Sequence, residues 1–289
     1  MSNLSANYET YLTILGRSDK TIKTYTTAVS SFCSYLEKIN KQSNMDKLTS
    51  ADLINYFAQN LSHLSPSSKN THLFALKNFF NYLYLTKQIS VNPTIGLQSF
   101  KSPFREPQKL DNTQLSTVLD ALKGTRNYIR DRSIILTAAI CCLRVSEITG
   151  INIDDINNNT LRIIGKGNKE RFVPLSPLVS QAINDYLDSR PVSSSPALYI
   201  STKTNDRLST RSVQHLIETL SKKTGIDFHT HTLRHTGASY IYDATKDIVI
   251  TQEILGHTNI STTRRYIHTN EELKSQAIMS SALNNLGQN

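Results

Sequence analysis

Arg144 stands at the end of a strongly apolar run, in Cys142-Leu143-Arg144-Val145-Ser146-Glu147. A guanidinium is costly to take out of water there unless it has a partner. Two partners fit. One is Glu147, three residues on along a helix. The other is an anion from outside, whose non-bridging phosphate oxygens match the fixed fork of N–H donors. Further along, in His229-Thr230-His231-Thr232-Leu233-Arg234-His235, His231 and Arg234 share a face at a helix start. That arrangement suits one proton-transfer group beside one phosphate clamp. Histidines this close together raise the question of a metal. Yet no cysteine or carboxylate lies at ligand spacing and no His-Glu-x-x-His occurs, so no metal is expected. Lys166, at the tip of Gly165-Lys166-Gly167, is either a solvated turn residue or a general acid that swings into a DNA groove. Gly256 ends one helix just before His257, and Ser261 opens another that carries Tyr266. With 13 tyrosines in the chain, nothing about Tyr266 alone separates it from a core or surface residue.

Hydrophobic spacing supplies the elements that must hold these groups. Ile129 to Cys142 reads as a buried helix ending just before Arg144. Leu161-Arg162-Ile163-Ile164 and Arg171-Phe172-Val173-Pro174-Leu175 read as short strands. Gly165-Lys166-Gly167-Asn168-Lys169 joins them as a hairpin turn, because glycine and asparagine tolerate positive φ. Asp111-Asn112-Thr113 can cap a helix through Leu122, and helical patterns run on from there with breaks near Ser193-Ser194-Ser195-Pro196 and at Gly225. The segment Glu271 to Leu286 either packs on its own domain or docks on a neighbouring protomer. Upstream, Ile22, Tyr25, Val29, Phe32, Leu36 and Ile39 form one stripe on a long helix, with Ser18 or Asp19 at its start. A second helix follows Thr49-Ser50 with Leu53, Phe57 and Leu61, and a third follows Ser65-Pro66-Ser67 with Leu73, Leu76, Phe80 and Leu83. Lys20, Lys23, Lys69 and Lys77 fall near the polar faces.

A chain of 289 residues suits two compact domains. The expected fold is mainly α (α+β). It comprises a helical bundle over residues 1–90, a linker over 91–110 carrying Pro93, Pro103 and Pro107, and a mostly helical domain with a small antiparallel sheet over 111–289. The net charge of +9 is uneven. Residues 1–105 hold 11 Lys+Arg against 5 Asp+Glu, and residues 106–289 hold 21 against 18. This surplus points to a polyanionic partner, with nucleic acid ahead of an acidic membrane, although a solvated basic surface is the plainer alternative. Three cysteines without a CxxC pair exclude a disulfide framework. The N-terminus lacks signal-peptide regions and no apolar run approaches a membrane span, so a cytoplasmic protein is expected. There is no GxxxxGK[ST] loop and no carboxylate cluster for a two-metal nuclease.

Taken together, the series Arg144, Lys166, His231-x-x-Arg234, His257, Tyr266 resembles the active-site signature of the tyrosine recombinase (phage integrase) family. It keeps that family's order, with Leu-Arg-Val-Ser-Glu around the first arginine, Gly-Lys-Gly-Asn-Lys-Glu-Arg in the hairpin, and Leu-Gly-His nine residues before the tyrosine. The bundle and linker are similar to the family's core-binding domain and tether. Two positions depart from the pattern: Cys142 stands where glycine is common, and Gly237 where a bulky aromatic often follows the His-Thr pair. The resemblance implies a compact, Xer-like site-specific recombinase. Tyr266 would be the nucleophile, Arg144, Arg234 and His257 the phosphate ligands, His231 the base or proton relay, and Lys166 the acid for the departing 5′-hydroxyl. It also implies no cofactor, no metal and no ATP. The partner would be double-stranded DNA with paired inverted-repeat sites, bound by a homo-tetramer on two duplexes, alone or with a related second recombinase. Two rivals differ in testable ways. A type IB topoisomerase-like enzyme would relax supercoils as a monomer. A non-catalytic DNA-binding regulator would lose no product when Tyr266 is changed.

Overall fold

The computed structural model describes residues 2–41, 45–102, 108–165 and 167–256. The chain divides into two units, Met1–Phe104 and Arg105–Asn289, each with its own apolar core.

In the first unit, local chemistry sets the helix starts. The Ser18 hydroxyl accepts from the Thr21 amide and begins α2 (Asp19–Lys38); Ser65 accepts from Ser68, with Pro66 in the first turn, and begins α4 (Pro66–Leu85). The Asp52 carboxylate accepts from the Thr49 amide at the start of α3 (Ser50–Gln59). The apolar stripes point inward as their spacing predicts: Ile22, Val29, Phe32 and Leu36 are buried on α2, and Leu73, Leu76, Phe80 and Leu83 on α4. A further helix, α1 (Ser2–Ile14), inserts Tyr8 and Leu12 into this core, with the Tyr8 hydroxyl donating to Asn78. Lys20 and Lys23 are solvated, whereas Lys69 and Lys77 are half-buried and donate to the carbonyls of Ser62 and Leu97. The chain beyond α4 stays on this unit as far as Phe100, whose backbone N–H and C=O both pair with the Asn70 side chain.

The second unit opens with α5 (Asn112–Asp120), capped by Asp111, and α6 (Tyr128–Ile140), which is buried along most of its length. A short α7 (Val145–Gly150) leads to β1 (Ile156–Asn157), β2 (Thr160–Ile164) and β3 (Glu170–Pro174), an antiparallel sheet in the order β1-β2-β3. Leu161 lies opposite Val173 and Ile163 opposite Arg171, so these four side chains share the inward face. The turn closes through the Gly165 amide donating to the Lys169 carbonyl, with Gly167 and Asn168 at φ 75° and 58°. Helices α8 (Pro177–Ser189), α9 (Thr210–Thr224), α10 (Thr230–Thr245) and α11 (Ile248–Leu255) complete the described part. None of the described helices is long and apolar enough to cross a membrane.

Candidate active site

Helix α6 ends in a left-handed residue, Cys142 at φ 54°, and the Leu143 amide returns to the Ala138 carbonyl. This is the helix ending that glycine adopts without strain, so the cysteine there costs about 1 kcal/mol of backbone energy. Burial pushes its thiol up to about 12, which leaves the sulfur a packing group at neutral pH. Two residues later, Arg144 caps α7.

Opposite this corner runs α10. A Cβ on Gly237 would fall inside the shell of the Ala139 carbonyl oxygen and 2.6 Å from the Cys142 sulfur. The two positions where this sequence departs from the family pattern therefore face each other, and the glycine lets α10 press against the end of α6. Arg234, three residues earlier on α10, reaches the same corner. It is 4% exposed, and it donates through Nη1 to the Cys142 carbonyl at 2.7 Å and through Nη2 to the Leu255 carbonyl at 2.7 Å.

Glu147 lies at the centre, with its side chain 3% exposed. Its carboxylate accepts from the Arg144 amide at 2.8 Å and from Arg144 Nη1 at 2.7 Å. It also accepts from Arg171 through Nη1 at 3.0 Å and Nη2 at 2.9 Å, and from Arg234 Nη1 at 3.3 Å. Burial alone would raise this carboxyl's pKa, but Arg171, the Arg144 amide and Arg234 outweigh it and hold the group below its ordinary range. Both sequence-level partners of Arg144 thus remain in play. The pair with Glu147 exists, and a third of the Arg144 side chain still meets solvent.

His231 lies one turn before Arg234 on the exposed start of α10, its ring 6.4 Å from that of His229. Lys166, His257, Tyr266 and the segment 271–286 lie outside the described residues. Among the described residues no cluster of histidine, cysteine and carboxylate groups is disposed to hold a metal. Arg171 is the residue that sequence reasoning left as a strand position. Its signal was the alternation of β3, which turns a charged side chain inward beside Val173.

Residues 108–272 match the model of the phage integrase family, and residues 6–87 match that of the phage integrase N-terminal SAM-like domain. The chain belongs to the phage integrase family. The first of these ranges contains all six residues that form the signature, and the second takes in α2, α3 and α4 with most of α1. Among relatives, this integrase-family chain is 34% identical over 296 residues to tyrosine recombinase XerC of Caldanaerobacter subterraneus subsp. tengcongensis, covering 93% of this chain and 83% of the relative. In fold it resembles the XerH site-specific recombinase bound to palindromic difH substrate in a post-cleavage complex (TM-score 0.75, 21% identity, 90% of this chain and 79% of that one). It also resembles a lambda integrase tetramer bound to a Holliday junction (TM-score 0.72, 17% identity, 89% of this chain and 77% of that one).

Proposed function

We propose that this integrase-family chain, a site-specific tyrosine recombinase, cuts and rejoins DNA through Tyr266, with Arg144, Lys166, His231, Arg234 and His257 as its chemical partners. The observation that carries the assignment is the convergence of three guanidiniums on one buried carboxylate. Among the described residues this leaves a local surplus of positive charge at a corner where Arg144 still reaches solvent, and a phosphodiester brings the charge that offsets it.

A phenol with an ordinary pKa near ~10 needs cations or a base to act as a nucleophile at neutral pH. In the proposed reaction Tyr266 Oη attacks the scissile phosphorus while His231 takes or relays its proton. Arg144, Arg234 and His257 hold the non-bridging oxygens as charge builds on them. The bond from phosphorus to the 5′-oxygen breaks, Lys166 protonates that oxygen, and a 3′-phosphotyrosyl link remains. A 5′-hydroxyl from another strand then attacks the link, restoring Tyr266 and joining new partners. One phosphate ester is exchanged for another at each step, so no ATP is consumed. The proposed substrate is double-stranded DNA with paired inverted repeats in the cytoplasm, and the proposed assembly is four protomers on two duplexes. Likeness in fold to a tetrameric integrase supports that assembly.

A nicked duplex bearing the cognate site tests the assignment. It should trap a covalent complex with the wild-type chain and none with Tyr266→Phe. Absence of any trapped complex from the wild type on such a site would overturn it.

A further inference from the structure

We propose that Arg171 is a positioning residue for Arg144: by pairing with Glu147 fork to fork, it leaves one edge of the Arg144 guanidinium open to the scissile phosphate. This rests on the reading of Arg144 as a phosphate ligand.

The three arginines at this carboxylate are held differently. Arg171 meets it end to end, with Nη1 on Oε1 at 3.0 Å and Nη2 on Oε2 at 2.9 Å. The Arg234 side chain is 5% exposed and donates to the Cys142 and Leu255 carbonyls as well as to Oε2. Arg144 gives Glu147 only its backbone amide, at 2.8 Å, and Nη1, at 2.7 Å. Its side chain is 34% exposed, and among the described residues its Nε and Nη2 have no hydrogen-bond partner. Nε–H and Nη2–H lie side by side on one edge of the guanidinium, the fork that matches two phosphate oxygens.

Glu147 would otherwise compete for that fork. A carboxylate offers about four lone-pair positions and pairs best with a guanidinium through two parallel bonds. Arg171 already makes such a pair, and the amide and Nη1 of Arg144 fill the remaining positions. Without Arg171 a buried carboxylate would lose two donors, which is a costly state. Arg144 holds two unspent donors that could replace them, at the expense of the phosphate. Arg171 is also fixed from outside α7. Its side chain is 12% exposed, its Nε donates to the Ile254 carbonyl at 2.9 Å, and a Cβ on Gly256 would meet its Cδ at 3.0 Å. β3 and the end of α11 therefore set where the carboxylate of α7 stands, and with it the direction of the Arg144 fork.

The test is single-turnover cleavage of the nicked duplex at saturating enzyme, with two scissile groups compared. One is the ordinary phosphodiester. The other is a methylphosphonate, in which a methyl group replaces one non-bridging oxygen and removes the negative charge that a guanidinium would meet. On the phosphodiester, Arg171→Ala should lower the cleavage rate constant roughly a hundredfold at full reaction amplitude, the scale for loss of one preorganised donor. On the methylphosphonate the same variant should stay within about fivefold of the wild type, because the interaction it weakens is no longer made. Arg171→Lys, which keeps the charge but loses the fork, should fall between on the phosphodiester. Equal losses on the two substrates, or a lower amplitude with an unchanged rate constant, would make Arg171 a merely structural residue and overturn the inference. So would an Arg171→Ala chain that cleaves the phosphodiester at the wild-type rate. If instead Arg144→Ala cleaves the phosphodiester like the wild type, the phosphate-ligand reading of Arg144 fails first.

Discussion

At the scale of single residues, Glu147 decides when the corner is assembled. Its carboxyl titrates below the ordinary value of 4.5 because the arginines favour the charged form more than burial opposes it. A group with a lowered folded pKa contributes stability that is fully present above its unfolded value. That contribution disappears as pH falls through the folded one. The wild-type chain should therefore show an acid limb of declining stability below about pH 4.5 to which Glu147 contributes. Glu147→Gln should flatten part of that limb and lower stability at neutral pH by about 3 kcal/mol, the lower end for breaking a buried pair, since Arg144 keeps its access to water. Urea unfolding across pH reads both effects, and an unchanged acid limb in the variant would refute the assignment. Arg144, His231 and Arg234 are legible in the sequence as cations of suitable spacing. That two of them meet at one carboxylate, and that Arg171 joins them, depends on a strand and two helices distant in sequence, which no local pattern reports.

At the scale of elements, the junction of α6 and α10 limits what can change. The Ala139 carbonyl stands against the Gly237 backbone with no room for a methyl group. Gly237→Ala should destabilise the chain by about 1–3 kcal/mol through overpacking. It should also slow cleavage, because any shift of the α6 end moves the Cys142 carbonyl that holds Arg234. Cys142→Gly relieves the contact with the sulfur and the left-handed strain, but leaves the clash with Ala139. It should not rescue Gly237→Ala in urea melts, and full rescue would show that the sulfur was the controlling contact. Helix starts are the best-read elements, because Ser18, Ser65 and Asp111 each do one local job that the sequence displays. Helix α1, rich in serine, asparagine and threonine, and the two-residue β1 are legible only once their partners are in place. β1 is too short to show a period, and in α1 the i, i+4 spacing of Tyr8 and Leu12 acquires its meaning from their burial.

At the scale of the whole molecule, positive charge is shared between the units: +6 over residues 1–105 and +3 over residues 106–289. A protein that meets about six to ten phosphates through such a surface loses about 10³-fold or more in affinity between 50 and 200 mM salt. Titration of non-cognate duplex at several salt concentrations should show that slope, and salt-independent binding would contradict an electrostatic interface. The arginine corner also has a consequence in time. Arg234 reaches back 92 positions to Cys142, and Arg171 reaches forward 83 to Ile254. At about 5–20 residues per second, the stretch from Cys142 to Arg234 alone takes roughly 5–18 s to synthesise. Throughout that interval the growing chain carries its basic N-terminal helices and can touch DNA, yet it lacks the carbonyls of Ile254 and Leu255 that seat two of the three guanidiniums. The order in which its own parts are made thus keeps a nascent chain from assembling its arginine corner early.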